Sequence, residues 1–162
     1  MSWHPRQLPE QTGRTVVGTG ANSGIGFEAA RALVGRGAHV VLAVRDPAKG
    51  QCAAKRMAGT GRTTVVELDL SDLDQLSDCA TTLLDRLDDV SAVICKAGVM
   101  GRPLRLTAQG FERQTATNHV GHAALVARCG RCLISAPRAS SWCRAPKRAA
   151  GSCRARRRGS SS

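Results

Sequence analysis

The residues Thr19-Gly20-Ala21-Asn22-Ser23-Gly24-Ile25-Gly26 follow the spacing T-G-x-x-x-G-I-G, and glycines at these intervals suit the holding of a phosphate anion by backbone. Gly20 allows a tight turn. Gly24 lets the backbone approach a pyrophosphate with no Cβ in the way, and Gly26 permits close packing of the helix that follows. That helix's free N–H groups would point at the anion. Such a pattern carries weight only between a strand and a helix, and both are expected here. Arg14 to Thr19 reads as a strand. Gly24 to Arg36 places Phe27, Ala30 and Val34 on one helical face, with Gly37 as its C-terminal cap.

A loop of this kind needs a frame of alternating strands and helices, and the chain up to Arg128 has that rhythm. Ala38 to Val44 is a second strand, apolar almost throughout, so both its faces must be covered, as in a parallel sheet between helix layers. Pro47 starts a short helix to about Ala58, ended by Gly59, and Thr63 to Leu68 is a third strand. Ser71 and Asp74 give an S-x-x-D capping signal for a helix whose stripe is Leu73, Leu76, Ala80, Leu83, Leu84 and Leu87. Val90 to Cys95 is a fourth strand. A last helix is expected from about Ala108 through Asn118 and His122 to Val126. The pattern is therefore α/β, a parallel sheet of four strands with helices on both of its faces.

Composition sets the outer limits. The chain has 162 residues and a net charge of +12, enough for one domain. Nine of its 24 basic residues and none of its 12 acidic ones lie in Cys129 to Ser162, a stretch whose large hydrophobes are Leu133, Ile134 and Trp142. That segment has little to bury and reads as a disordered basic tail. No apolar run approaches the ~20 residues of a membrane-spanning helix, so no membrane partner is expected. Met1 to Gly13 is polar, contains Pro5 and Pro9, and lacks a secretory core. Seven cysteines without an export signal imply reduced thiols and a cytoplasmic location, with Cys52 and Cys79 filling helix faces.

Several stretches, taken in order, resemble the short-chain dehydrogenase/reductase family. They are the glycine loop, Val40-Val41-Leu42-Ala43-Val44-Arg45-Asp46, Glu67-Leu68-Asp69-Leu70-Ser71, Cys95-Lys96-Ala97-Gly98 and Thr117-Asn118-His119-Val120-Gly121-His122. The N-H-x-G-H form is similar to the retinol-dehydrogenase-like branch. The resemblance implies a doubly wound parallel sheet of Rossmann type, incomplete at four strands and their helices in the order 3-2-1-4, and a dinucleotide held by Gly20, Asn22, Ser23, Gly24, Ile25 and Gly26. It implies that Asp69 and Leu70 lie beside the adenine, that Ala97 and Gly98 lie beside the nicotinamide, and that Asn118 is the family's active-site Asn. Arg45 implies NADP, because a guanidinium there would grip a 2′-phosphate through forked hydrogen bonds. Asp46 keeps NAD open, since an acid near this point binds ribose hydroxyls instead. The implied organisation is a polar arm over 1–13, an NAD(P)-binding domain over 14–128 and a tail over 129–162.

The family pattern is broken in three places. Gly18 replaces an apolar residue at the end of the first strand and should cost packing. Cys95-Lys96 stands where the family has two Asn, and Lys96 would be costly if buried unpaired. The family's chemistry also uses a Ser, a Tyr and a Lys after a fifth strand, and this chain contains no Tyr. Hydride transfer to a carbonyl needs a positioned proton donor, a contribution of roughly 10²–10⁴-fold. His119 and His122 are taken as structural, since no carboxylate or Cys joins them at ligand spacing, and no metal site is expected. The expectation is an NADP-preferring oxidoreductase of alcohols and carbonyls in a truncated, catalytically incompetent form, with a bare fourth-strand edge prone to aggregation. For the tail, a reading-frame change in a GC-rich gene is favoured over a four-Cys metal site or weak, non-specific nucleic-acid binding. The runner-up for the whole chain is a non-catalytic nucleotide-binding or nucleic-acid-binding protein.

Overall fold

The computed structural model describes residues 4–87, 89–101 and 103–135. Four parallel strands, β1 (Thr15–Thr19), β2 (His39–Val44), β3 (Arg62–Glu67) and β4 (Ala92–Ile94), form one sheet in the order β3-β2-β1-β4. The helices α1 (Gly24–Val34), α2 (Pro47–Lys55) and α3 (Leu73–Arg86) connect them. After β4 come a short helix α4 (Arg113–Thr115), a π-helical turn over Ala116–Val120, and α5 (Gly121–Ser135).

The alternation along β2 shows why the sheet needs two helix layers. Val40, Leu42 and Val44 pack with Phe27, Ala30, Val34 and Ala53 of α1 and α2. Val41 and Ala43 face the other way, joining Val17, Leu76, Leu83 and Leu125. Burial of each Val, Leu or Phe side chain among these stabilises the fold by about 1.5–3 kcal/mol. Gly37 (φ +93°) reverses the chain after α1, its N–H bonded to the Val34 carbonyl.

Four expectations are corrected. The cap of α3 is Asp72, which accepts from the Asp74 and Gln75 amides, while the Ser71 hydroxyl turns back to Asp69. The last helical segment begins at Arg113, capped by Glu112, because an antiparallel bridge between Leu106 and Glu112 takes up the residues before it. Helix α5 continues past Arg128 to Ser135: Leu125 and Cys129, one turn apart and almost fully buried, extend the stripe that packs on α3. Cys129 therefore belongs to the core beside Cys79, and Cys52 is exposed instead of filling a helix face. The three accounts of the tail beyond Ser135, and its expected disorder there, fall outside the described residues.

The expected edge is present. Only three residues long, β4 bonds to β1 on one side, and its side chains are half-buried. Among the described residues no helix is long and apolar enough to cross a membrane.

Candidate functional site

A cleft of about 400 Å³ opens where the four strands end, and every strand contributes to its wall. Gly20 follows β1, Arg45 and Asp46 follow β2, Asp69 and Leu70 follow β3, and Ala97 and Gly98 follow β4. Asn22, Ser23, Ile25 and Gly26 complete it from the glycine loop. Two residues singled out from the sequence lie elsewhere. Gly24 lines a separate hollow beside Phe27 and Arg56, and Asn118 lines a neighbouring one between the end of β4 and α5.

Sterics fix the loop. Gly20 has φ +63°, and a Cβ on it would lie 2.8 Å from the Ala97 Cα. A Cβ on Gly26 would lie 2.5 Å from the Gly20 carbonyl oxygen, so the close packing expected of this glycine is against its own loop. Gly24, at φ +54°, faces open space.

The helix N-termini differ in a telling way. Asp46, Asp72 and Glu112 each cap their own helix, satisfying amides that would otherwise lack partners. Ser23, at the N-cap of α1, makes no side-chain capping bond, and the first turn of α1 contains no acid. Its amides and hydroxyl are thus left toward an anion. Ile25, 73% exposed, presents an apolar surface in the same cleft.

At the β2 end the two candidates for the ribose have separate fates. The Asp46 Oδ1 accepts from the Lys49 amide at 3.1 Å, and its Oδ2 pairs with the Lys49 ammonium at 3.2 Å. That amide, then the ammonium, holds the carboxyl below the usual range. Arg45 is exposed on the cleft wall. At the β3 end, the Asp69 Oδ1 accepts from the Ser71 amide and hydroxyl at 2.9 and 2.6 Å, and the Asp69 amide donates to the Gln75 Oε1 at 2.8 Å, so the turn beside the cleft is pinned.

The floor was not evident from sequence. Thr19 is 1% exposed, and its Oγ1 accepts from the Lys96 and Ala97 amides at 3.0 and 3.1 Å. The same oxygen lies 2.8 Å from the His122 Nε2. Asn118 uses its whole amide on one residue: Oδ1 accepts from the Val99 N–H and Nδ2 donates to the Val99 carbonyl, both at 2.8 Å. Both bonds thus tie the Val99 backbone to the π-helical turn. His122 is buried, whereas Lys96 is exposed and so avoids the cost of burial. A signal for the floor did exist: Thr19 puts a hydroxyl at a strand end against the glycine loop, and His122 follows Asn118 by one helical turn.

Comparison with known proteins agrees with this geometry. The model of the short chain dehydrogenase family matches residues 14–140. Human retinol dehydrogenase 11 is 44% identical over 119 residues, covering 72% of this chain and 36% of that protein. Retinol dehydrogenase 12 of Bos taurus is 43% identical over 129 residues, covering 77% and 41%. The chain thus spans about two fifths of the length of these curated relatives. Among solved structures, an uncharacterized protein from Mycobacterium Paratuberculosis superposes with a TM-score of 0.73 at 45% identity, over 82% of this chain and 47% of that one. A metagenomic short-chain oxidoreductase in complex with NADP superposes with a TM-score of 0.68 at 30% identity, over 78% and 59%.

Proposed function

This chain belongs to the short-chain dehydrogenase family, among its retinol-dehydrogenase-like members, and from that premise we propose that it binds a nicotinamide dinucleotide, NADP ahead of NAD. The observation that carries the preference is Asp46. With both carboxylate oxygens engaged by Lys49, it is spent on capping α2, and Arg45 is left to meet a 2′-phosphate. The cleft fits such a ligand in two further respects: the Ser23 hydroxyl unused by its own helix, and the exposed apolar face of Ile25.

In this reading the glycine loop and the α1 amides hold the pyrophosphate. Asp69 and Leu70 flank the adenine, and Ala97 and Gly98 support the nicotinamide. A bound nicotinamide supplies or takes a hydride. Asn118 acts on that chemistry as a positioning residue, through Val99. The activity of the whole protein would interconvert an alcohol and a carbonyl. These 162 residues include no Tyr, so the chain as it stands binds cofactor without turnover. The reduced thiols of Cys52, Cys79 and Cys95 suit a cytoplasmic setting.

Fluorescence titration with NADPH and NADH tests the reading. NADPH should bind more tightly, and Arg45→Ala should weaken NADPH far more than NADH. Equal loss for the two would end the NADP assignment, and NADPH oxidation in the presence of a carbonyl compound would end the claim of inactivity.

A further inference from the structure

We infer that His122 is a positioning residue for the cleft floor, acting through the hydrogen bond it accepts from the Thr19 hydroxyl. Its Nδ1 lies 3.1 Å from the Asn118 carbonyl oxygen inside the π-helical turn. A carbonyl only accepts, so Nδ1 carries the ring proton. A neutral imidazole has one N–H, which makes Nε2 an acceptor, and the Thr19 hydroxyl 2.8 Å away donates to it. With its proton so committed, the Thr19 oxygen turns its lone pairs to the Lys96 and Ala97 amides.

The alternative acceptor for the Thr19 proton is the Ile94 carbonyl at 3.4 Å, a much longer contact. Removing the imidazole would send the hydroxyl there and rotate its lone pairs off the two amides. Thr19 and His122 are 1% and 8% exposed, so water is poorly placed to repair the loss. The chain of bonds runs from the Asn118 carbonyl through the ring and the hydroxyl to the backbone that borders both hollows. That this backbone supports a nicotinamide rests on the function proposed above, but the hydrogen-bond chain itself does not.

The test separates the two. In ¹⁵N NMR of the full chain, His122 should show the Nδ1–H tautomer, and the Lys96 and Ala97 amides should be protected from hydrogen exchange. His122→Leu should speed exchange at these two amides about tenfold and weaken NADPH about tenfold, roughly the loss of one buried hydrogen bond. His122→Gln, whose Oε1 reaches the place of Nε2, should restore both. A merely space-filling histidine predicts that Leu serves as well as Gln. An Nε2–H tautomer, or unchanged exchange in the Leu variant, overturns the inference. The expected exchange pattern in a chain that binds no dinucleotide supports the inference and overturns only the cofactor reading.

Discussion

At the β1–α1 loop the geometry is set by residues without side chains, whereas across the cleft, between β4 and α5, it is set by side chains that each make several hydrogen bonds. Gly20 and Gly26 are required because a Cβ would strike Ala97 or the loop's own carbonyl. Thr19, His122 and Asn118 are instead joined by directional bonds to backbone. The first kind of site tolerates almost no substitution and advertises itself in sequence. The second is made of common residue types and becomes visible only when the chain is folded.

The comparison would break first at Gly121, which lies on the side-chain half yet obeys the loop's rule. A Cβ there would lie 2.2 Å from the Leu70 carbonyl oxygen. Gly121→Ala should cost about 3 kcal/mol or more of stability through overpacking, read as a fall in the denaturant midpoint. A loss below about 1 kcal/mol would mean that α5 shifts freely on the third strand's loop. Gly24→Ala is the matching change in the loop. With open space around it, the cost should be about 1 kcal/mol, from the left-handed backbone alone, with a larger loss in NADPH affinity than in stability.

Smaller effects sharpen the contrast at the opposite end of the sheet. Burial, and then the charge of Arg62, lowers the pKa of His39 from 6.5. The unfolded chain therefore binds that proton more readily, so this contribution to stability is complete above about pH 6.5 and is lost as pH falls below it. Comparing urea midpoints of the wild type and His39→Gln between pH 8 and 5 should show the gap changing only at the acid end. The smallest effect is expected at Gly18, where a Cβ would meet the Ala21 Cβ at 3.5 Å, an ordinary contact. Gly18→Ala should raise stability by about 0.5 kcal/mol, visible as a higher Tm.

Much of the frame was legible because periodicity reports burial. The doubly apolar β2, the leucine stripe of α3 and the order β3-β2-β1-β4 all follow from it or from the family resemblance. The cap of α3 was misread by one residue, since Ser71 and Asp72 are both good caps and the choice was decided by Asp69 binding Ser71. The end of the last helix was missed because composition changes at Arg128 while the packing of Cys129 on the core does not. The π-helical turn left no periodic trace. It displaces the helix by a fraction of a turn, and its partners, Gly121 against Leu70 and His122 against Thr19, are distant in sequence.

The Asn118 clamp has a mechanical consequence. One planar amide supplies both the donor and the acceptor to Val99, as a neighbouring strand would. Turning that plane over exchanges donor for acceptor and breaks both bonds together. The two bonds to the Val99 backbone therefore form and break as a unit, governed by one side-chain torsion.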